Sequence, residues 1–403
     1  MRIMVSSSTY APAMNGQAVF TTNLAEGLVK LGHQVMVVLD SQHGKASTTY
    51  VNGVQLEELH SISLNKFRSG VYFSPFSTRE IRRLFMVFQP DVVHIQDHYP
   101  SCRRVVKVAL ENQIKLVGSN HFIPENLAPY IPLYSSLESM IYWLLWQWML
   151  NLYKRLDVVT AQSAAAASIL KKVGLKSPIY PISCGIDTQR YFPDPNVDRA
   201  TLRQSYGLDA DKITFLFLGR IDGEKRVDLL LQAMQQLDRD DVQLAIAGHG
   251  SVEESMKRMA VKMNLKGRVK FTGFIPIENK PGLLNSVDVF VMPSEAELLS
   301  ISTLEAMACG RPVLLANALA LPELVKDDLN GYLFTPGDVK DLARLMGELA
   351  DQSQNWGEMG SVSREIALQH DLDKVIHKYE RVYDQLISAD PITKMDQELK
   401  GIA

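Results

Sequence analysis

Short apolar runs alternate with amphipathic stretches along the first half of the chain. Residues 3–7 and 34–39 are apolar runs of strand length, and residues 19–31 between them carry apolar side chains at helical spacing before Gly32. Further strands are predicted at residues 92–95, 116–119 and 158–161. Strands that alternate with helices predict a parallel, doubly wound sheet.

A second alternating series begins near Ile213. Its predicted strands are residues 215–218, 244–247, 269–271, 289–292 and 313–316. Between the two series, residues 181–187 and 192–195 are rich in turn signals, and the hinge is placed there. A chain of 403 residues also fits two domains of about 180 residues each better than one average core.

Charge is distributed unevenly between the two halves. Residues 1–183 carry 17 Lys/Arg and 11 Asp/Glu, a net charge of +6, whereas the remainder carries 25 and 34, a net charge of -9. This asymmetry indicates that the first half meets an anionic partner. Cys102, Cys184 and Cys309 lack metal-type spacing and are typical of reduced thiols in a cytosolic protein. The chain begins directly with a strand, so we expect no signal peptide.

Two glutamates seven residues apart, Glu297 and Glu305, carry the most specific chemical signal. An apolar run at 287–292 precedes them, and from about Ser300 the residues favour a helix that Gly310 ends. The pattern therefore places Glu297 in a loop and Glu305 about one turn inside a helix.

That arrangement suits a phosphorylated sugar donor. The amides near Leu299, Ser300 and Ile301 would receive a diphosphate at the helix N-terminus. Glu305 would accept hydrogen bonds from a ribose diol, and Glu297 would hold hydroxyls of the transferred sugar. The alternative is an ordinary strand–helix unit with solvated acids.

Residues 293–312 run PSEAELLSISTLEAMACGRP and continue into VLLA. This segment resembles glycosyltransferase family 4, the retaining glycosyltransferases with a GT-B fold. Within the family the chain is most like the bacterial glycolipid glycosyltransferases that act on diacylglycerol, a looser resemblance carried by the first half through residues 121–125, the aromatic stretch at 139–153 and its basic clusters. The resemblance implies an α/β fold of two Rossmann-like, doubly wound parallel-sheet domains facing across a cleft. It implies an acceptor-binding domain at 1–183, a nucleotide-sugar-binding domain at 184–370 and a C-terminal helix at 371–403 that crosses back to the first domain. Leu299 and Ser300 stand where many members have Phe-Gly, and Ser lacks the positive-φ freedom of Gly.

Arg220 and Lys225, in the segment GRIDGEK, match the family's phosphate-binding pair. Cations at this place would stabilise the charge that develops on a departing diphosphate. The alternative is a surface ion pair such as Glu224 with Arg226.

Several other positions match the family pattern. Asn15 and Gly16 match its glycine-rich loop, and His121 matches the histidine that contacts the transferred sugar; the alternative for His121 is a satisfied structural group. Gly248 and Gly273 end strands near the nucleotide, and Glu125 completes a His-x-x-x-Glu segment in the acceptor region. Catalytic roles are thus predicted for Glu297, His121, Arg220 and Lys225.

The pair Asp209 and Asp211 resembles the acidic pairs that bind metals in other glycosyltransferases. It precedes a strand in a polar region, so a solvated turn is the better interpretation. We therefore predict no essential metal and no cofactor, the nucleotide-sugar being a substrate.

An aromatic stretch at residues 139–153 holds three tryptophans and two tyrosines. It is interpreted either as a buried helix or as a helix that contacts lipid at the membrane interface. Basic clusters occur at Lys66/Arg68, Arg79/Arg82/Arg83, Arg103/Arg104/Lys107 and Lys171/Lys172. Singly each reads as a solvated face, but together with the +6 charge they favour docking on an anionic membrane.

The sequence thus predicts a retaining glycosyltransferase that moves a hexose, in first place glucose from UDP-glucose, to a hydroxyl of a membrane lipid such as diacylglycerol. The protein would be cytoplasmic and peripheral on the membrane. A soluble sugar, phosphosugar or polyol acceptor, a GDP-mannose donor, and a non-catalytic sugar-nucleotide-binding protein stay open as alternatives.

Overall fold

The structure is a computed structural model and describes residues 1–13, 15–63, 72–74, 77–124 and 135–388. It divides into two compact units, one formed by Met1–Gly185 with Asp373–Ala403 and the other by Ile186–Leu372. The roles assigned from the sequence to 1–183, 184–370 and 371–403 stay predictions.

The first unit is built on a parallel sheet with helices between its strands. Its strands are β1 Arg2–Ser6, β2 Gln34–Asp40, β3 Ser47–Val51, β4 Val54–Leu59, β5 Ile62–Ser63, β6 Tyr72–Phe73, β7 Val92–Ile95, β8 Lys115–Asn120, β9 Val158–Ala161 and β10 Ile179–Pro181. Its helices are α1 Gly16–Lys30, α2 Thr78–Phe88, α3 Pro100–Glu111, α4 Ser135–Tyr153 and α5 Ala164–Lys172.

The large sheet of this unit has the order β10-β9-β8-β7-β1-β2-β4-β3. Its neighbours pair in parallel except for β3 and β4, which form a hairpin around Asn52 and Gly53. Chain order reverses between β1 and β7, which lie side by side. Ligands of doubly wound sheets bind at such a reversal, beyond the carboxyl ends of the strands.

The second unit repeats the architecture. Its strands are β11 Ile213–Leu218, β12 Val242–Ala247, β13 Val269–Gly273, β14 Val289–Met292, β15 Val313–Ala316 and β16 Gly331–Phe334. Its helices are α6 Arg199–Ser205, α7 Val227–Leu237, α8 Glu253–Lys262, α9 Lys280–Ser286, α10 Ile301–Ala308, α11 Val339–Asp351 and α12 Trp356–Gln369.

The sheet order of the second unit is β13-β12-β11-β14-β15-β16, with every neighbouring pair parallel. The reversal of chain order falls between β11 and β14. Since both sheets are doubly wound and parallel, the fold class predicted for each half is confirmed.

The last described helix, α13 Leu372–Ser388, packs its buried face within the first unit. Its Tyr383 hydroxyl bonds Nδ1 of the buried His94 at 2.8 Å, and Tyr379 lies 3.2 Å from the hydroxyl of Thr160. Ile376 fills the space over Gly27, where an added Cβ would lie 1.9 Å from it. Helix α13 is therefore part of the first unit's core.

Candidate functional site

The candidate donor site lies in the second unit, where the sheet reverses. Adjacent strands β11 and β14 end at Leu218 and Met292. The loop after β11 carries Arg220 and Lys225, and the loop after β14 carries Glu297. The residues that the sequence predicts on separate segments are thus brought to one edge of one sheet.

Lys225 and Glu297 are in direct contact. Lys225 Nζ lies 2.5 Å from Glu297 Oε1, and both side chains are shielded from solvent. Beside this pair, the hydroxyl of Ser294 donates to the carbonyl of Glu224 at 3.2 Å. The predicted catalytic cation and carboxylate therefore neutralise each other in the absence of donor.

Arg220 is largely exposed and pairs with two acids of its own loop, Asp222 and Glu224. Asp222 is buried and accepts hydrogen bonds from the amide and the hydroxyl of Ser251, at 2.8 and 2.7 Å. The predicted alternative, a pair between Glu224 and Arg226, is wrong in its partners, because Arg226 contacts Asp228 and Glu295 instead. Arg220 is thus held by acids of its own loop, while solvent still reaches its guanidinium group.

Helix α10 begins with Ser300 as its N-cap residue. Ser300 has a φ of -95°, so it needs none of the positive-φ freedom of a glycine, and its Oγ accepts from the Thr303 amide at 3.3 Å. Leu299 is buried beside it, and Ile301 is the first helical residue. Ser300 therefore caps the start of α10, where the first backbone amides have no carbonyl acceptor within the helix.

Glu305 is buried inside α10 and is held by Lys280, a residue that the sequence analysis missed. Lys280 Nζ lies 3.2 and 3.1 Å from the two carboxylate oxygens. Burial, followed by the nearby Glu305 carboxylate, raises the pKa of the Tyr191 hydroxyl far above its usual range. Both glutamates of the seven-residue spacing are therefore paired with a lysine.

Gly248 and Gly273 lie at the ends of β12 and β13, as predicted, and Gly248 permits a backbone contact. It has a φ of 134°, and an added Cβ would lie 1.9 Å from the carbonyl oxygen of Gly219. The amide of Gly248 also donates to the Gly273 carbonyl at 2.8 Å. The loop that carries Arg220 therefore packs directly against the backbone of Gly248, where a side chain would not fit. Next to it, the exposed rings of His249 and Phe274 stack at 6.5 Å.

In the first unit, Asn15 acts as the N-cap of α1. Its Oδ1 accepts from the Ala18 amide at 2.9 Å, and Gly16 is the first residue of the helix. The sequence predicted a loop through residue 17 and a helix from residue 19, so the helix start was placed too late. Asn capping, which favours helix initiation, explains the difference.

His121 follows β8 and has both ring nitrogens engaged. Nε2 donates to Gln96 Oε1 at 2.8 Å, and Nδ1 accepts from the Gln162 amide at 2.5 Å. Burial lowers the pKa of His121 to about 4, although the nearby Asp97 acts in the opposite direction. His121 is therefore neutral at pH 7, and a sugar hydroxyl would reach a ring nitrogen by replacing one of the two amides. Glu125 lies outside the described residues.

Asp97, directly after β7, was also missed by the sequence analysis. It is buried and accepts from the amides of Ser8 and Tyr99, at 2.6 and 3.0 Å, and from Gln17 at 3.1 Å. It therefore ties together the loops that follow β1 and β7. Polar residues directly after an apolar strand were the available signal.

The acidic pair Asp209 and Asp211 lies in an exposed turn before β11. Asp209 Oδ1 accepts from the backbone amide of Asp211 at 3.0 Å. The carboxylate is thus used to close its own turn, in line with the interpretation of this pair as a solvated turn.

Helix α4 has two faces. Trp146, Met149 and Leu150 are buried, whereas Met140, Trp143 and Leu144 are exposed, Trp143 to 58%. The interpretation as a buried helix thus holds for one face, and lipid contact by the exposed face stays a prediction. None of the helices in the described part of the chain is both long and apolar enough to cross a bilayer.

Two families match the chain, one in each half. Residues 14–190 match "Glycosyltransferase Family 4", and residues 198–362 match "Glycosyl transferases group 1".

Three relatives illustrate the range of similar proteins. The N-acetyl-alpha-D-glucosaminyl L-malate synthase of Bacillus anthracis is 24% identical over 97% of this chain and 99% of that protein. The alpha-monoglucosyldiacylglycerol synthase of Streptococcus pneumoniae is 25% identical over 83% of this chain and 75% of that protein. The GDP-mannose-dependent alpha-(1-6)-phosphatidylinositol monomannoside mannosyltransferase of Mycolicibacterium smegmatis is 34% identical over 53% of this chain and 58% of that protein.

Solved structures share the fold along nearly the whole chain. Sucrose-phosphate synthase from Thermosynechococcus elongatus superposes with a TM-score of 0.80 at 19% identity, covering 97% of this chain and all of that one. Anabaena Alr3699/HepE in complex with UDP-glucose gives 0.75 at 19% identity, covering 95% of this chain and 99% of that one. With both halves matched to glycosyltransferase families and two doubly wound sheets in place, the chain belongs to the GT-B glycosyltransferases, with a family 4 first half and a group 1 second half.

Proposed function

We propose that this glycosyltransferase moves a hexose, in first place glucose from UDP-glucose, to a hydroxyl of a membrane lipid such as diacylglycerol, with retention of configuration. The observation that carries the choice of a lipid acceptor is a surface of the first unit formed by α2, α3 and α4. This surface combines exposed arginines with exposed apolar side chains and is called the basic–apolar face below.

Helix α2 supplies the basic part of this face. Ile81, Leu84 and Phe85 are buried, whereas Arg79, Arg82 and Arg83 are exposed on the opposite side. The same side continues into two exposed apolar residues, Met86 and Val87, at 71% and 74% exposure. A helix with arginines and bare aliphatic side chains on its outer face suits the headgroup region of an anionic bilayer.

Helix α3 joins α2 to α4 and makes the face continuous. Arg82 of α2 pairs with Glu111 of α3 at 3.0 Å. At the other end, the Arg103 guanidinium of α3 lies 4.0 Å from the ring centre of Trp148 in α4. The exposed apolar residues of α4 therefore extend the same surface.

Each described donor-site residue has a defined role in the proposed reaction. Lys225 and Arg220 would hold the diphosphate together with the first amides of α10, and Glu305 would hold the ribose. Glu297 and His121 would orient the sugar. The acceptor hydroxyl would attack on the face from which the diphosphate leaves, passing its proton to a donor phosphate oxygen, so positioning and charge stabilisation supply most of the rate.

The names of relatives support a lipid acceptor but differ in the donor. One is an alpha-monoglucosyldiacylglycerol synthase, and another is a GDP-mannose-dependent enzyme that acts on a phosphatidylinositol mannoside. The UDP-glucose complex of a structural neighbour supports the uridine donor. GDP-mannose is therefore the donor to test beside UDP-glucose.

Vesicle sedimentation tests the membrane part of the proposal. We expect the protein to sediment with phosphatidylglycerol vesicles and to remain in solution with phosphatidylcholine vesicles. Reversing Arg79 and Arg83 to Glu should abolish sedimentation, whereas the matched reversal of Lys171 and Lys172 on α5 should have a much smaller effect. Equal sedimentation of both double variants would refute the basic–apolar face as the docking surface.

Mass spectrometry of products decides the acceptor. Incubation of each donor with a membrane-lipid extract should give a hexosylated lipid. A soluble acceptor is the second candidate, because the N-acetyl-alpha-D-glucosaminyl L-malate synthase aligns with nearly the entire chain. A product found with sugars, phosphosugars or polyols and none with lipid would establish that alternative.

A further inference from the structure

Three contacts join the two loops that form the donor site. The first loop, residues 219–226, is called the cation loop, and the second, residues 293–300, the glutamate loop. Ser294 bonds the carbonyl of Glu224, Lys225 pairs with Glu297, and Arg226 Nη1 lies 2.5 Å from Glu295 Oε1. Three consecutive residues of the cation loop, residues 224–226, thus each make a contact with the glutamate loop.

The three contacts differ in what a bound donor would do to them. If Lys225 takes the diphosphate and Glu297 takes the sugar, their mutual ion pair is replaced by contacts with the donor. The carbonyl contact of Glu224 is a single neutral hydrogen bond. Arg226 and Glu295 have no role in the proposed donor contacts, so their ion pair can persist through the reaction.

The backbone of Arg226 is strained. Its φ of 50° and ψ of 39° place it in the left-handed region, which glycine enters freely but which costs free energy for a residue with a side chain. A glycine here would form the same turn without that cost. We therefore expect the contacts of the Arg226 side chain to offset the free-energy cost of its backbone conformation.

Those contacts hold the guanidinium in one orientation. Arg226 Nε and Nη2 lie 3.2 and 3.3 Å from the carboxylate of Asp228, in the first turn of α7. This leaves Nη1 directed at Glu295, two residues before Glu297 in the glutamate loop. The side chain is two-thirds shielded from solvent, so the ion pair is less screened than one at an open surface.

We propose that Arg226 and Glu295 are a positioning pair that keeps the cation loop and the glutamate loop in register when the donor separates Lys225 from Glu297. The pair touches neither donor nor acceptor. It rests on the proposed donor contacts of Lys225 and Glu297, but it does not depend on which nucleotide or acceptor the enzyme uses.

A thermal double-mutant cycle tests the pair without any donor. While Lys225 still holds Glu297, Glu295→Ala should lower the melting temperature by about 1 °C or less. In a Lys225→Met background, the same substitution should lower it by about 3 °C or more, since the remaining charged link is then lost. Equal shifts in the two backgrounds would overturn the proposal.

Ligand-induced stabilisation tests the same pair in the bound state, with UDP and GDP as probes. We expect Glu295→Ala to reduce the donor-site affinity about fivefold or more for whichever nucleotide stabilises the wild type. Arg226→Gly should have the same effect although it relieves the strained turn and leaves the free protein at least as stable. Asp228→Asn is the matched control: its remaining side-chain oxygen can still accept from Arg226 and orient the guanidinium towards Glu295, so the affinity should change by less than twofold.

The two measurements separate this proposal from the proposed function. If neither nucleotide stabilises the wild type, the donor contacts are refuted, and the thermal cycle still decides whether the two links are redundant. A Glu295→Ala variant with unchanged nucleotide affinity, or an Asp228→Asn variant as weak as Glu295→Ala, would overturn the positioning pair.

Discussion

Lys225 and Glu297 lie on loops that follow adjacent strands and form an ion pair 2.5 Å long. They are separated by 72 positions in the chain, yet the reversal between β11 and β14 brings them together. The pair thus places a cation beside a carboxylate at the site where we propose that the diphosphate sugar binds.

Glu297→Gln should lower turnover by about a hundredfold, because it removes the carboxylate charge and replaces one of the two oxygens that would accept from sugar hydroxyls with an NH2 donor. Initial rates with saturating donor measure this effect. Glu348→Gln on α11 removes one carboxylate of an exposed pair with Arg344 and should leave the rate unchanged. Wild-type turnover in Glu297→Gln would refute its role.

Lys280→Met should raise the donor KM about tenfold or more, since a hydrogen bond to a charged group contributes roughly 1.5–3 kcal/mol. Steady-state kinetics measure the increase, and Lys280→Arg should restore part of the affinity.

Lys262→Met, at an exposed position in the last turn of α8, is the control for this change. A Lys280→Met enzyme with the donor KM of the wild type would contradict the proposed role of the Lys280–Glu305 pair.

Ser300→Ala should destabilise the second unit by about 1 kcal/mol, because α10 loses its N-cap hydrogen bond. The donor KM should rise as well, since the first turn of α10 carries the proposed diphosphate amides. Asp338→Ala removes the equivalent cap of α11, where Asp338 accepts from the amides of Lys340 and Asp341. It should cost similar stability and leave the KM unchanged, as thermal melts and kinetics would show.

His94→Gln should reduce the fall in the free energy of unfolding of the first unit as the pH is lowered. His94 is fully buried between Tyr383 and Ser119, and burial lowers its pKa from 6.5 to about 3. Below pH 6.5 the unfolded chain therefore binds one proton more than the folded one, and stability falls by about 1.4 kcal/mol per pH unit until about pH 3.

Urea unfolding at pH 7, 6, 5 and 4 measures that slope. The variant should lose about 1.4 kcal/mol per pH unit of the total slope, to which the buried His121 continues to contribute, whereas His43→Gln at an exposed position should keep the total slope. An acid limb that is equally steep in His94→Gln would show that other groups control it.

The central strands of both units could be predicted from sequence because apolar runs such as 289–292 are buried on both faces of a parallel sheet. The β3–β4 hairpin was missed, although Asn52–Gly53 between two β-branched segments is a strong turn signal. The positions of Glu297 in a loop and Glu305 in a helix could also be predicted, since a strand, a loop and a helix fix both locally.

Other parts of the site depend on contacts between distant segments, and no local pattern predicts them. Lys280 and Glu305 are 25 residues apart on different helices, and Arg226 meets Glu295 across 69 residues. His121 was found by its position after a strand, but its two amide partners come from the ends of other strands. Side-chain partners of this kind follow from the packing of the complete unit.

The insertion of α13 into the first unit has a consequence for biosynthesis. Tyr379 and Tyr383 bond His94 and Thr160, which lie among the first 160 residues, and complete the interior of the first unit. Those segments leave the ribosome long before α13 is synthesised. The first unit therefore remains incompletely packed while the second unit is translated and can fold. Truncation before Leu372 would leave the interior of the first unit without α13, and its apolar surface would be accessible to chaperones and proteases.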